Sequence, residues 1–318
     1  MPSKNPPKPY KTGLLALDPV EEPRPPYRGK AWRATLEPYR RRHGTRMRTA
    51  DPEVVLWASR LESAQRALDL ILGSHNLLLG QALALPDDLW AFNEEEIAHM
   101  PEHERPKTQA FHFGSGTVRR ACALAARASH RRKHVYAIAK YRFSMSVYSS
   151  FAVDLQPSAV HLPTTRHPDD HVRFSHCIIS AYSVLEELGL EVRASQRQPS
   201  MVGGKWNPTV LSDLQRRLRA SRIDISVTET WTMRATPRKI ERARSPQTRG
   251  KEAWAWGPIR DSEIELVDAI AYASWLRSKV ASHKLSELAA SLSPYDVANV
   301  QGLARRLLLE TLGFWPIE

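Results

Sequence analysis

The segment "FSHCIISAYSVLEELGL", residues 174–190, decides the fold of the C-terminal half of the chain. Its apolar side chains recur at helical spacing and form one stripe of Phe174, Ile178, Ala181, Leu185 and Leu188. Gly189 follows the stripe and can adopt the left-handed conformation that ends many helices. The segment therefore predicts a long amphipathic helix with one buried face.

Downstream of this helix, residues that commonly start helices predict three more. Asn207 as N-cap, followed by Pro208, starts a short helix. Ser262 and Glu265 form a capping box that predicts a helix continuing past residue 275. The last helix is expected from Pro294 onward. With the helix of residues 174–190, these make four helices.

In the N-terminal half of the chain, the sequence predicts one helix and leaves a second segment ambiguous. Residues 51–73 are predicted as a helix that is capped by Asp51 and ended by Gly73. Residues 135–147 fit two patterns, because every odd position is apolar, as in a strand, while apolar residues also recur at helical spacing. Helix and strand both stay open for this segment.

The predicted fold class is mainly α, and Pro-rich stretches divide the chain into three parts. Residues 1–48 form a flexible, Pro-rich basic arm, predicted as disordered, because such a composition cannot bury enough apolar surface to order itself. Residues 49–165 form a mostly helical N-terminal domain. Residues 166–318 form a helical domain that carries a basic insertion over residues 193–250.

The charge of the chain points to a polyanionic partner. The formal net charge is +12, and the basic residues concentrate in two zones. Residues 1–50 contain 12 Lys and Arg against 4 Asp and Glu, and residues 193–250 contain 13 against 4. The remaining residues are slightly acidic, so the basic zones are predicted to contact nucleic acid phosphates.

Composition also narrows the cellular setting. Cys122 and Cys177 are the only cysteines, which argues against a disulfide framework and a zinc site. The most apolar stretch, residues 68–86, is interrupted by polar residues and is too polar to span a bilayer. We therefore expect a soluble, cytoplasmic protein that has no membrane partner and no cofactor.

Four Arg–His pairs with four to six intervening residues occur in the sequence, and context selects one of them. Arg105 and Arg166 precede prolines, and Arg127 lies in a basic run that is typical of a solvated surface. Arg277 and His283 instead lie late in a long apolar helix. His suits proton transfer near neutral pH, and Arg suits a developing phosphorane charge.

The stretch that contains this pair, "WLRSKVASH" at residues 275–283, resembles the signature of the HEPN superfamily (higher eukaryotes and prokaryotes nucleotide-binding). Residues 174–196, with an acidic pair at Glu186 and Glu187, are similar to the first long helix of such domains. The resemblance covers roughly residues 170–318 and implies a four-helix bundle.

The resemblance further implies metal-independent RNA cleavage at a site that two copies of the chain share in a homodimer. His283 would then act as general acid or base, and Arg277 would position and stabilise the phosphate. Such proteins are often toxins or effectors of prokaryotic antiphage defence, and a regulating protein or guide RNA is a further expected partner. The residues expected to contact RNA are Ser278, Lys279, Lys284, Lys205, Arg238 and Lys239. Trp206 and Trp231 lie in the basic segment and are either core residues or rings that stack on bases.

Three alternatives stay open at this stage. Arg277 could instead form a structural ion pair with a carboxylate such as Glu186. The domain could be a non-catalytic HEPN-like module that binds RNA or serves as a scaffold. A metal-dependent nuclease could use the cluster at residues 167–171, which consists of His167, Asp169, Asp170 and His171, although the acidic residues also suit the first turn of a helix.

Overall fold

A computed structural model describes nine parts of the chain. They are residues 10–12, 15–20, 30–35, 54–58, 60–80, 115–148, 168–234, 259–281 and 292–316. The chain divides into two compact units: Met1–Leu78 with Ala82–Arg127, and Leu79–Gln81 with Ala128–Glu318. The longer segment of the second unit spans Ala128–Glu318, and the domain boundary that the prolines predict near residue 165 stays a prediction. Among the described residues, no helix is both long and apolar enough to cross a membrane.

The first unit contains an antiparallel sheet where the sequence predicted a flexible arm. Its strands pair in chain order: β1 (Tyr10–Thr12), β2 (Leu15–Val20), β3 (Lys30–Thr35) and β4 (Val54–Ala58). Strand β4 also corrects the helix start predicted at Asp51. The run "VVLWA" consists mainly of β-branched and aromatic residues that favour strands, and it pairs with β3.

Among the described residues, helices α1 (Leu61–Leu79) and α2 (Ser115–Ser129) follow the sheet. Helix α1 continues through Gly73, which corrects the predicted end. Gly73 is buried in the helix, and the left-handed backbone is found instead at Gly80, with φ of 70°.

The second unit contains five α-helices and two antiparallel two-stranded sheets among its described residues. In chain order they are α3 (Arg132–Val147), α4 (Pro168–Leu188), β5 (Met201–Val202), β6 (Lys205–Trp206), α5 (Pro208–Ala220), β7 (Thr228–Arg234), β8 (Ile259–Glu265), α6 (Leu266–Trp275), a π-helical segment (Leu276–Ala281) and α7 (Pro294–Leu312). Helix predominates in the described residues, so the mainly α class is confirmed. The two small sheets correct the prediction that residues 166–318 are purely helical.

Helix α4 confirms the amphipathic helix predicted from residues 174–190. All five stripe residues are at most 5 % exposed, and Gly189 has φ of 75° directly after the helix. Asn207 caps α5 as predicted, because its side chain accepts a hydrogen bond from the Thr209 amide at 3.1 Å. Segment 135–147 is helical, and it lies within α3.

Helices α3, α4 and α7 are joined by a buried polar network centred on Ser144. The Ser144 hydroxyl donates to the Cys177 carbonyl at 2.9 Å and accepts from Gln301 Nε2 at 3.0 Å. Gln301 Nε2 also donates to the Tyr148 carbonyl at 2.9 Å. Since a buried polar group costs free energy unless it is hydrogen-bonded, these contacts fix the register of three helices.

The capping box predicted at Ser262 and Glu265 is wrong, because both residues belong to strand β8 and the helix begins at Leu266. Strand β8 pairs with β7, whose Thr228 and Thr230 hydroxyls donate to the Glu263 carboxylate at 2.8 and 2.7 Å. The opposite face carries Ile264 and Trp231, and both side chains are buried. Alternation with period two thus outweighs the local helix signal.

A genuine capping box starts α7, and it yields a stability prediction. The Ser293 hydroxyl hydrogen-bonds to Asp296, and the Asp296 carboxylate accepts from the Ser293 amide at 3.0 Å. We expect Ser293→Ala to lower the free energy of unfolding by about 0.5–2 kcal/mol, because the cap is lost and a buried carboxylate loses a donor. Urea titration followed by circular dichroism measures the change. Ser212→Ala, at an exposed position within α5, is the matched control, and an equal loss in both variants would contradict the capping role.

Candidate functional site

Arg277 lies directly after helix α6, where the backbone changes from α-helical to π-helical. The chain is α-helical to Trp275 and π-helical from Leu276 to Ala281. The Ser278 hydroxyl donates to the Ser274 carbonyl one turn earlier at 2.8 Å, a contact of the kind that often bends helices. Single π-helical turns are frequent at functional sites, because they displace side chains from regular helical positions.

The guanidinium of Arg277 is anchored to helix α4. Its Nη2 lies 3.1 Å from Glu186 Oε1, and the two side chains are 40 % and 33 % exposed. This is the partner that the sequence suggested for a structural Arg277. An ion pair this exposed contributes little to stability, about 0.2–1 kcal/mol, so its main effect is on the orientation of the guanidinium.

The neighbouring carboxylate, Glu187, pairs with a different helix. Its Oε1 lies 2.7 Å from Lys140 Nζ of α3, and both side chains are about as exposed as those of the first pair. The acidic pair at the end of α4 therefore links this helix to α3 through Lys140 and to the π-helical segment through Arg277. The two ion pairs have similar surroundings but different cations, which makes one a natural control for the other.

Tyr182, one helical turn before Glu186 in α4, connects this helix to α6 through a hydrogen bond with Ser274. Its hydroxyl accepts a hydrogen bond from the Val192 amide at 3.2 Å. Burial raises the pKa of this hydroxyl above its usual range, and hydrogen bonds with Ser274 and the Val192 amide partly oppose that rise. The hydroxyl therefore stays protonated near neutral pH, and Tyr182 supports the site without supplying a base.

The second member of the predicted pair, His283, lies outside the described residues, as do Lys284, Arg238 and Lys239. Lys279 contributes its backbone to the π-helical segment. On an ideal helix, residues six positions apart such as Arg277 and His283 point about 120° away from each other, so the two side chains converge only if the helix is distorted or a second subunit contributes one of them. The described part of this segment is distorted, between Leu276 and Ala281.

Within residues 193–250, several basic side chains form ion pairs or hydrogen bonds with other parts of the protein. The buried Arg217 donates to the Glu191 carbonyl at 2.8 Å and to Asp213 Oδ2 at 2.8 Å. Arg193 and Arg216 also pair with carboxylates, each at 2.6 Å. Lys205, by contrast, is exposed on β6. Counting charges in the sequence thus overstates how many of these residues can contact phosphates.

The two tryptophans of this segment serve the fold. Trp231 is 1 % exposed and packs edge-to-face on Tyr272, with ring centroids 5.6 Å apart. Trp206 is half-buried, and its Nε1 donates to Asp268 Oδ1 at 2.8 Å. The expectation that these rings stack on bases is therefore corrected for Trp231, whose faces are enclosed by protein.

The cluster at residues 167–171 spreads over the first turn of α4. His171 is buried, and its Nε2 lies 3.4 Å from the Ser175 hydroxyl, whereas Asp169 is exposed. His167 lies outside the described residues. Within the described parts of the chain, no group of three or more His, Cys, Asp or Glu is arranged to hold a metal ion.

No protein-family model matches this chain, and the searches of curated proteins and solved structures found no significant similarity. Inferences about function therefore rest on the residues and on their geometry.

Proposed function

We propose that the chain is a metal-independent endoribonuclease of HEPN type, with Arg277 and His283 as the catalytic pair. The observation that carries this proposal is the position of Arg277. Its side chain is 40 % exposed at a π-helical turn and is oriented by Glu186 from another helix. A phosphate can reach a guanidinium held in this way, and a fixed planar cation suits the charge of a phosphorane.

In the proposed reaction the RNA supplies its own nucleophile. A base removes the proton of a 2′-hydroxyl, whose oxygen attacks the adjacent phosphorus while the bond from phosphorus to the 5′-oxygen breaks. An acid returns a proton to the departing 5′-oxygen, so the products are a 2′,3′-cyclic phosphate and a 5′-hydroxyl. His283 transfers protons, and Arg277 stabilises the phosphorane.

A shared site in a homodimer would supply two His283 side chains, one as base and one as acid. Such a division of roles removes the need for Arg277 and His283 of one subunit to converge. A role as a toxin or effector in antiphage defence, held inactive by a protein or guide RNA, is part of the proposal and rests on the HEPN resemblance.

The second candidate is an RNA-binding or scaffold module without catalysis. The ion pair between Arg277 and Glu186 favours it, because an arginine whose role is structural makes this kind of contact. The two candidates differ in what happens to bound RNA. A binding module retains RNA at its original length, whereas a nuclease shortens it.

The testing experiment incubates the purified full chain with end-labelled RNA in EDTA. We expect shortened products, because neither Arg277 nor His283 needs a metal ion. Denaturing gels give the length of the RNA, and filter retention gives its binding. Retention at full length would establish the binding module, and cleavage that is lost on chelation and restored by Mg²⁺ would establish the metal-dependent alternative.

A further inference from the structure

One exposed face of helix α3 combines basic and aromatic side chains that the proposed cleavage site does not use. Arg132, Tyr136, Ala139 and Phe143 are all exposed. At 100° per residue they lie within an arc of about 60° on the helix surface. Tyr136 is 45 % exposed and Phe143 is 54 % exposed, values unusual for large aromatic rings. We call this stripe, together with Arg131 and Lys133, the α3 face.

The α3 face begins with positive charge at the N-terminal end of the helix, where helices normally favour negative charge. The positive end of the helix dipole favours acidic residues in the first turn, yet α3 has none there. Arg131, at the N-cap position, makes no side-chain capping hydrogen bond. Three exposed cations, Arg131, Arg132 and Lys133, occupy this end instead. They concentrate positive potential at one end of the aromatic stripe, at a cost to local stability.

The first ring of the stripe is held in place by one of these cations. Arg132 Nη2 donates to the Tyr136 hydroxyl at 3.1 Å, and the guanidinium carbon lies 5.2 Å from the centre of the ring. Phe143 follows two helical turns later, about 10 Å along the axis and on the same side. The face thus presents a fixed cation next to two rings in line.

We propose that the α3 face is a binding surface for single-stranded RNA. Phosphates contact Arg131, Arg132 and Lys133, and bases of the same strand stack on Tyr136 and Phe143. Unpaired bases expose the flat surfaces that such rings require, whereas bases in a duplex are already stacked.

Charge selects RNA over a second copy of the chain as the occupant. A symmetric dimer through this face would place two copies of the same three cations in one interface, with no carboxylate of the face to neutralise them, and an excess of one charge in an interface is unfavourable. A polyanion neutralises them instead. The overall charge of +12 adds a long-range attraction of the same sign.

The α3 face is tested without relying on cleavage. The probe is a fluorescein-labelled oligouridylate with 2′-O-methyl groups, which has no 2′-hydroxyl for attack, and binding to the full chain is measured by fluorescence anisotropy. We expect Phe143→Ala to weaken binding about 5- to 100-fold, the usual effect of removing one stacking ring. Lys133→Gln should lower the dependence of log affinity on log salt by about 0.7, the value for one phosphate contact to a single strand.

Two variants serve as matched controls. Val172→Ala truncates another exposed apolar side chain, 51 % exposed on α4, and Arg60→Gln removes one positive charge from the first unit. Both should bind the probe as the wild type does. Unchanged affinity in Phe143→Ala together with an unchanged salt slope in Lys133→Gln would overturn the proposal. A dissociated dimer in Phe143→Ala, seen by sedimentation with RNA affinity intact, would assign the face to a second copy and also overturn it.

Discussion

His283→Ala should reduce the rate of RNA cleavage in EDTA by about 10²–10⁴-fold, the typical contribution of general acid–base catalysis. Retention of RNA on filters should stay close to the wild-type value, because the phosphate contacts lie on other residues. The rate is measured under single-turnover conditions with excess protein, so that product release does not mask the chemical step. Circular dichroism and the thermal midpoint verify that the variant is folded.

The matched control is His176→Ala, which removes an exposed histidine from α4. This variant should cleave RNA at the wild-type rate, and its cleavage rate should depend on pH as that of the wild type does. If His283→Ala cleaved at the full rate while folded, proton transfer would have to come from another group, and the proposed catalytic pair would be wrong.

The second large expected effect is the loss of cleavage in Arg277→Ala. Comparing this loss with the change in stability distinguishes a catalytic role of Arg277 from a structural one. We expect Arg277→Ala to lower the cleavage rate by about 10²–10³-fold, as removal of one preorganised donor to a developing charge does in other enzymes. Its effect on unfolding should stay below about 1 kcal/mol, since the ion pair with Glu186 is exposed. Cleavage and stability should therefore change by very different amounts.

A double variant completes this test. If Arg277 serves only to neutralise Glu186, then Glu186→Gln should restore Arg277→Ala to wild-type behaviour. We expect the double variant to remain inactive, because neutralising the carboxylate returns no cation to the phosphate. Lys140→Ala with Glu187→Gln breaks the adjacent ion pair, which has similar exposure, and should leave the rate of the chemical step unchanged. Recovery of cleavage in the Arg277/Glu186 double variant would establish the structural role.

Elements that depend on local patterns were predictable from the sequence. Helix α4 follows from five apolar residues at helical spacing and from Gly189, and α5 follows from the Asn207 cap. Both signals act within a few turns of chain, so they can be recognised without knowing the tertiary structure.

The two-stranded sheet of β7 and β8 could not be assigned in the same way, because residues 235–258 separate its strands in the sequence and each strand is stabilised by pairing with the other. One signal was present, however. Threonines alternate in β7 and acidic residues alternate in β8, and the structure pairs them across the strands. The burial of Trp231 follows from that pairing, so the basic segment around this residue does not reveal it.

The candidate site was partly predictable. The acidic residue beside Arg277 could be named, because α4 is long, regular and carries Glu186 near its end. The division of Glu186 and Glu187 between two helices depends on tertiary packing and had no sequence signal. The α3 face was also missed, because the basic run before it was interpreted as a solvated surface and the segment itself fitted a strand as well as a helix.

The most direct test of the proposed function uses an RNA strand in which every 2′-hydroxyl except one is methylated. We expect the full chain in EDTA to cut this strand only on the 3′ side of the single unmodified nucleotide and to leave a 2′,3′-cyclic phosphate, identified by mass spectrometry. His283→Ala should leave the same strand intact. Cleavage at methylated positions, or products that carry a 5′-phosphate, would show that the nucleophile is not the 2′-hydroxyl and would contradict the account.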